Sequence, residues 1–273
     1  MQHIDWRPRT TLRAAALLCL VLGASAVTAA DTVQLYAAGS LKLALTDVAK
    51  AYEAKSGTKV EAKWGASGLL KNEIAAGAKT DIFASANMEH PQALHDAGKS
   101  GAVILFTRNR LCALVRPGFG VDTDTLLERM LDPNVKLASS TPKSDPSGDY
   151  AFEVFAKAEA VRPGAKAALE KKALLLVGAA NSPAPPPGRS AYAWHIAEDH
   201  ADIFLTYCTN TVAAQKEAPG AQLIALPPAL SVGADYGLTV MNGAAPAAQD
   251  FAGFIMSPDG QKILASHGFA PLK

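Results

Sequence analysis

An excess of charge of either sign is missing from this chain. Its 273 residues carry 26 Lys and Arg against 25 Asp and Glu, with no basic patch and no charge run. That argues against a nucleic-acid partner, which would need a clustered positive surface. Beyond residue 30 no apolar run is long enough to cross a membrane. There is no internal repeat. The chain has no nucleotide P-loop, no full G-x-G-x-x-G and no G-x-S-x-G elbow. Ser140-Thr141-Pro142-Lys143 fits S-x-x-K, but it sits in a proline-broken loop with no S-D-N or K-T-G elsewhere, so it reads as chance. No carboxylate pair stands at a spacing suited to acid–base work. A hydrolase is therefore disfavoured, and no cofactor is expected.

Cysteine is scarce too, with three residues in all. Cys19 falls in the N-terminal segment. Arg7, Arg9 and Arg13 are followed there by an apolar run, Ala14 to Val21, and then by small residues up to Ala30. This is the pattern of a cleaved secretory signal over residues 1–30, with the cut near Ala26 or Ala30. Leu18 stands where a lipoprotein signal needs a small residue, so Cys19 is expected to leave with the peptide. The mature chain then belongs to an export compartment. There Cys112 and Cys208 suit a disulfide, although each lies in an apolar run that would also hold a buried free thiol.

What the chain has is a repeated junction. Val33 to Ala38 is a short apolar strand. Gly39-Ser40 breaks it, and Leu41, Leu45, Val48 and Tyr52 then follow helix spacing up to Gly57. Ser40 occupies the expected N-cap. Val60 to Trp64 repeats the strand, Gly65-Ala66-Ser67-Gly68 the break, and Leu69, Leu70 and Ile74 the helix. Helix N-termini present free N–H groups and a favourable dipole to anions. In an open parallel α/β sheet such junctions gather at the carboxyl ends of the strands, where ligands bind. Two of them so close together favour a shared anion site over two unrelated caps.

A third junction runs through Thr141 to Tyr150 into a helix expected over Ala151 to Ala160. Ser147 and Gly148 would offer N–H groups there. Asp145 and Asp149 suit an anion site only if they point away or bond the backbone, as Asp does in turns. Arg189, in the Gly188-Arg189-Ser190 turn, is a candidate anion ligand. His195 and His200 read as surface histidines near a helix end. Two strands, Val103 to Phe106 and Leu111 to Val115, are expected around a polar joint at Thr107 to Arg110. Asp202 to Tyr207 is a strand that delivers Tyr207 to its end.

Taken in order, Ala37–Leu41, Trp64–Leu70, Glu73–Phe83, Asp145–Ala151, Ile203–Tyr207 and Ser257–Phe269 resemble the molybdate-binding periplasmic proteins of ABC transporters, among the type II periplasmic binding proteins. The resemblance spans nearly all of the chain beyond residue 30. It implies two α/β domains joined by crossing strands, with the ligand in the cleft between them. The first domain would take residues 31–108 and 231–273, the second 109–230, with hinges at Thr107–Leu111 and Val232–Met241. It implies an oxyanion, molybdate or tungstate, whose oxygens are held by Ser40, Ser67, the Ser147 N–H and Tyr207, with Arg189 near a further backbone donor. A monomer working with an inner-membrane ABC permease is implied as well. Arg189 and Asp145 depart from an uncharged site. Sulfate, phosphate, a sulfonate or an organic anion therefore stand as the alternative ligands.

Overall fold

A computed structural model describes residues 1–3, 32–270 and 272. The proposed export signal and its cleavage site lie almost wholly outside the described residues. The chain alternates strand and helix. β1 (Val33–Ala38), α1 (Lys42–Ser56), β2 (Val60–Gly65), α2 (Ser67–Ala75), β3 (Ile82–Ser85) and α3 (Glu89–Asp96) form the opening unit. The long β4 (Ile104–Val115) leads to α4 (Leu126–Leu131), β5 (Leu137–Ser140), α5 (Pro146–Val161), α6 (Ala165–Lys172), β6 (Leu174–Val177), α7 (Ala191–Ala197), β7 (Ile203–Tyr207), α8 (Cys208–Glu217) and β8 (Gln222–Ala225). Then β9 (Gly233–Val240), α9 (Pro246–Met256) and α10 (Pro258–Ser266) close the fold.

Strand order is β2-β1-β3-β9-β4-β7-β5-β6, with β8 also on β4. β1 runs parallel to β2 and β3, and β5 runs parallel to β6 and β7. β4 serves both halves of this order. Its first part, Ile104 to Arg110, pairs antiparallel with β9, and its last part, Leu111 to Val115, pairs with β7 and β8. The result is two α/β lobes of the type II periplasmic binding protein class. The carboxyl ends of β1, β2 and β3 face those of β5, β6 and β7 across a cleft.

The stripe expected on the first helix is the one that is buried: Leu41, Leu45, Val48 and Tyr52 all lie in the core beneath β1. Tyr52 also packs on Phe251 and Phe254 of α9, with ring centroids 5.0 and 5.6 Å apart. Two expectations need correction. The polar joint at Thr107 to Arg110 is not a break, because β4 continues through it after a register shift against β9 between Leu105 and Thr107. Thr107 and Asn109 face inward and are buried, while the Arg108 guanidinium turns out to Asp235, 2.8 Å away. Polar residues on alternate faces satisfied a ladder that their composition hid. His195 is not a surface residue either; it is 1% exposed, packed between Trp194 and Phe204. Its Nδ1 lies 3.1 Å from that of His200, and burial holds its pKa below the usual imidazole value.

Candidate functional site

A cleft of about 660 Å³ lies between the lobes, and Ser40, Ser67, Asp145, Arg189 and Tyr207 are among the residues that line it. Ser40 reaches it from a short 3-10 turn, Gly39–Leu41, that precedes α1. It is not the N-cap: Leu41 holds that position, with no side-chain cap. The Ser40 hydroxyl is free for other work. It lies 3.0 Å from the Tyr236 hydroxyl, which accepts a hydrogen bond from Asn109 Nδ2 at 3.2 Å. Asn109 Oδ1 accepts from the Arg110 N–H, so the amide orientation is fixed and Nδ2 can only donate. Asn109 fills one acceptor position of Tyr236, and either hydroxyl can donate in the Ser40–Tyr236 pair; when Tyr236 donates, the Ser40 proton is left for the cleft. Tyr236 is fully buried among Phe106, Tyr207 and Phe269, and burial pushes its pKa well up, so it stays a neutral hydroxyl.

Ser67 is set in the same sense. It opens α2, and its Oγ accepts the N–H of Ala86 at 3.1 Å. Its own proton is therefore available to a second acceptor. Ser67 thus presents an outward-facing O–H donor backed by a fixed inner donor, and Ser40 presents a hydroxyl held in place by Tyr236. The amides that begin the 3-10 turn and α2 lie beside them and lack intrahelical acceptors.

The second lobe answers differently from expectation. α5 begins at Pro146, earlier than the helix pattern suggests, because Asp145 caps it: its carboxylate accepts the Ser147 N–H at 3.0 Å. Asp149 likewise accepts the Lys143 N–H at 2.8 Å. Both aspartates bond the backbone, as turn aspartates do. Ser147 is consequently withdrawn. It is fully buried behind the cleft wall, its N–H is taken, and its hydroxyl donates to Thr206 Oγ1 at 3.5 Å. Asp145 itself lines the cleft, where burial pushes its pKa up to about 6 against the pull of the Ser147 amide. Arg189 lines it too, but its Nε lies 3.6 Å from Glu217, which also accepts the Ser190 N–H.

Tyr207 is buried at the end of β7, and its hydroxyl donates across the cleft to the Ala86 carbonyl at 3.2 Å. Gly68 N–H donates to the Ser144 carbonyl at 2.9 Å, so the lobes already touch along the cleft floor. Cys112 and Cys208 are bridged, closing a sequence separation of 96 beside Tyr207. The site residues that sequence reasoning missed are Tyr236 and Asn109 behind Ser40, and Asn210 and Tyr192 on the cleft wall. Only the strand patterns around them could have flagged them, and those patterns carry no ligand signal.

Residues 33–270 match the family described as bacterial extracellular solute-binding protein. The chain belongs to this family. Such proteins serve ABC importers from outside the inner membrane; they bind solutes and are not enzymes. This solute-binding protein is 31% identical over 239 residues to an uncharacterized protein of Pasteurella multocida, covering 87% of this chain and 98% of that one. It is 28% identical over 156 residues to the molybdate-binding protein ModA of Escherichia coli, covering 54% of this chain and 59% of that protein. The Azotobacter vinelandii periplasmic molybdate-binding protein shares its fold with a TM-score of 0.71 at 19% identity, covering 88% of this chain and all of that one. Among the described residues, no helix of this solute-binding protein is long and apolar enough to cross a membrane, and no three His, Cys, Asp or Glu side chains gather as a metal site.

Proposed function

We propose that this protein captures a tetrahedral oxyanion at the floor of its cleft, with molybdate and its congener tungstate as the ligands of first choice. The carrying observation is the pair of serine hydroxyls. Ser67 receives a hydrogen bond from behind and has a proton left for the cleft, while the Ser40 hydroxyl, paired with that of Tyr236, turns its proton to the ligand when Tyr236 donates to it. Uncharged O–H and N–H dipoles at strand–helix junctions can hold a dianion without a lysine in contact. In the bound state Tyr207 exchanges its bond to the Ala86 carbonyl for one to the ligand. The likeness to a molybdate-binding protein over part of the chain supports the choice of ligand.

Asp145 supports a second reading. Its carboxylate stands on the cleft wall, and an anion that carries a proton would find an acceptor there. Hydrogen phosphate is the simplest such ligand.

Titration calorimetry at neutral pH with molybdate, tungstate, sulfate and phosphate tests both. Molybdate tightest, with Ser40→Ala and Ser67→Ala each weakening it, is the expected result. A preference for phosphate that Asp145→Asn removes would favour the second reading. No heat with any of the four would end the oxyanion assignment.

A further inference from the structure

The cleft is far larger than the ligand proposed for its floor. A tetrahedral oxyanion takes up about two or three water volumes, at ~30 Å³ each in the liquid. The cleft holds about 660 Å³, a size that suits an organic molecule of tens of atoms. The excess is not that of two lobes held apart. They already meet through Gly68 and Ser144 at 2.9 Å and through Tyr207 and Ala86 at 3.2 Å. Further closure at the floor is blocked, because the Gly68 backbone lies directly on that of Lys143 and Ser144. Several residues that line the rest of the cleft, Leu43 and Val212 among them, are exposed and so mark its mouth.

The mouth has a character of its own. Leu43 on α1 and Val212 on α8 line the cleft from opposite lobes, and they are 49% and 45% exposed. Soluble proteins expose single apolar residues freely, so neither alone means anything. Here two belong to the same cavity, one on each wall. Beside them stand Lys42 and Lys216, also lining the cleft. Among the described residues neither lysine makes an ion pair, whereas Arg189 nearby has Glu217. The apolar pair offers a bare, strongly hydrated dianion nothing in return for its water, while the two lysines offer charge to a negative group. Together they suit a short carbon chain that ends in a second negative charge.

We propose that the outer half of the cleft is a second subsite, and that the protein binds small organic molecules with a tetrahedral oxyanion at one end and a carboxylate at the other. The oxyanion takes the floor between Ser40 and Ser67. The carbon chain runs between Leu43 and Val212, and the carboxylate meets Lys42 and Lys216. This rests on the oxyanion reading of the floor and extends it from an inorganic ion to a class of phosphono and sulfo acids.

The test compares each parent ion with its substituted forms by calorimetry: phosphate, propylphosphonate and 3-phosphonopropionate, and in parallel sulfate, propanesulfonate and 3-sulfopropionate, with molybdate as the reference. Burying two or three methylenes and adding one ion pair should tighten the carboxylated member of a series about tenfold or more over its parent. The alkyl member should fall between. Lys216→Gln should remove the advantage of the carboxylate alone, and Leu43→Ser with Val212→Ser the advantage of the chain. Both sets lie on exposed surface, so folding is not at issue, and molybdate should change far less. Substituted anions that bind no tighter than their parents, while molybdate or a parent binds, would overturn the second subsite and leave the floor assignment standing. Failure of every anion, molybdate included, would overturn the floor assignment and the subsite with it.

Discussion

The amide of Gly68, in the first turn of α2, donates to the carbonyl of Ser144 in the opposite lobe at 2.9 Å. The contact leaves no room for a side chain. A Cβ at residue 68 would lie 2.3 Å from the Lys143 carbonyl oxygen and 2.7 Å from that of Ser144, both backbone atoms that cannot swing away. Gly68→Ala should therefore force the lobes apart at the floor. Overpacking of this kind costs about 1–3 kcal/mol, and here it falls on closure. The expected outcome is oxyanion affinity reduced by about ten- to a hundredfold, with a larger radius of gyration in solution scattering. Wild-type affinity in this variant would show that the floor contact is not part of the binding state.

The direction of hydrogen bonding through Asn109, Tyr236 and Ser40 can be tested one link at a time. Ser40→Ala removes the outward donor and should weaken binding by about ten- to a hundredfold, since hydrogen bonds to charged groups contribute about 1.5–3 kcal/mol. Tyr236→Phe keeps the buried ring and removes only the relay hydroxyl. It should weaken binding several-fold, less than Ser40→Ala, because Ser40 keeps its proton but loses its fixed orientation. Calorimetry on both variants gives the order. A larger loss for Tyr236→Phe than for Ser40→Ala would contradict the arrangement.

Asp145 carries a pH signature. Its pKa in the fold, about 6, lies above the ordinary carboxylate value because burial disfavours the charged form. For a raised acid the folded state holds its proton more tightly than the unfolded state does. The stabilisation is then complete below about pH 4 and is lost as pH rises through about 6, at up to ~1.4 kcal/mol per unit across that window. Asp145→Asn keeps an oxygen to cap Ser147 and removes the titration. Urea unfolding of both proteins at pH 4, 5, 6 and 7 should show the variant gaining on the wild type as pH rises. Parallel profiles would refute the shift.

The Cys112–Cys208 bridge closes a long loop of the second lobe. Loss of a bridge of this span costs about 2–5 kcal/mol. A Cys112→Ser, Cys208→Ser double variant should melt well below the oxidised protein. Both cysteines lie in one lobe, so its ligand affinity should change little once it is folded. Equal melting temperatures would show that the bridge adds no stability.

The legible parts of this fold are those where one residue period gives way to another. Ser40 and Ser67 stand where a strand pattern stops and a helix pattern starts, and both reach the cleft. The backing of Ser40 was hidden, because Tyr236 lies 196 residues away and meets it only through the pairing of β1 with β3 and of β3 with β9. Ser147 misled for a local reason. Its helix begins one turn early, since a carboxylate two residues before it takes the amide that a ligand would have used. His195 misled for a distant one: β7 brings Phe204 against a face of α7 that looks outward on sequence alone.

β4 is shared by both lobes, and its partner β9 arrives late in the chain. A polypeptide that emerges from its N-terminus therefore delivers the pieces out of spatial order. β4 to β8, every strand of the second lobe, emerge before β9 does. The first lobe, although it starts the chain, must wait with one edge of β3 and the first part of β4 unpaired until residues 233–240 have emerged. Its open strand edges stay exposed in that interval, and the lobe encoded in the middle is the one that can finish first.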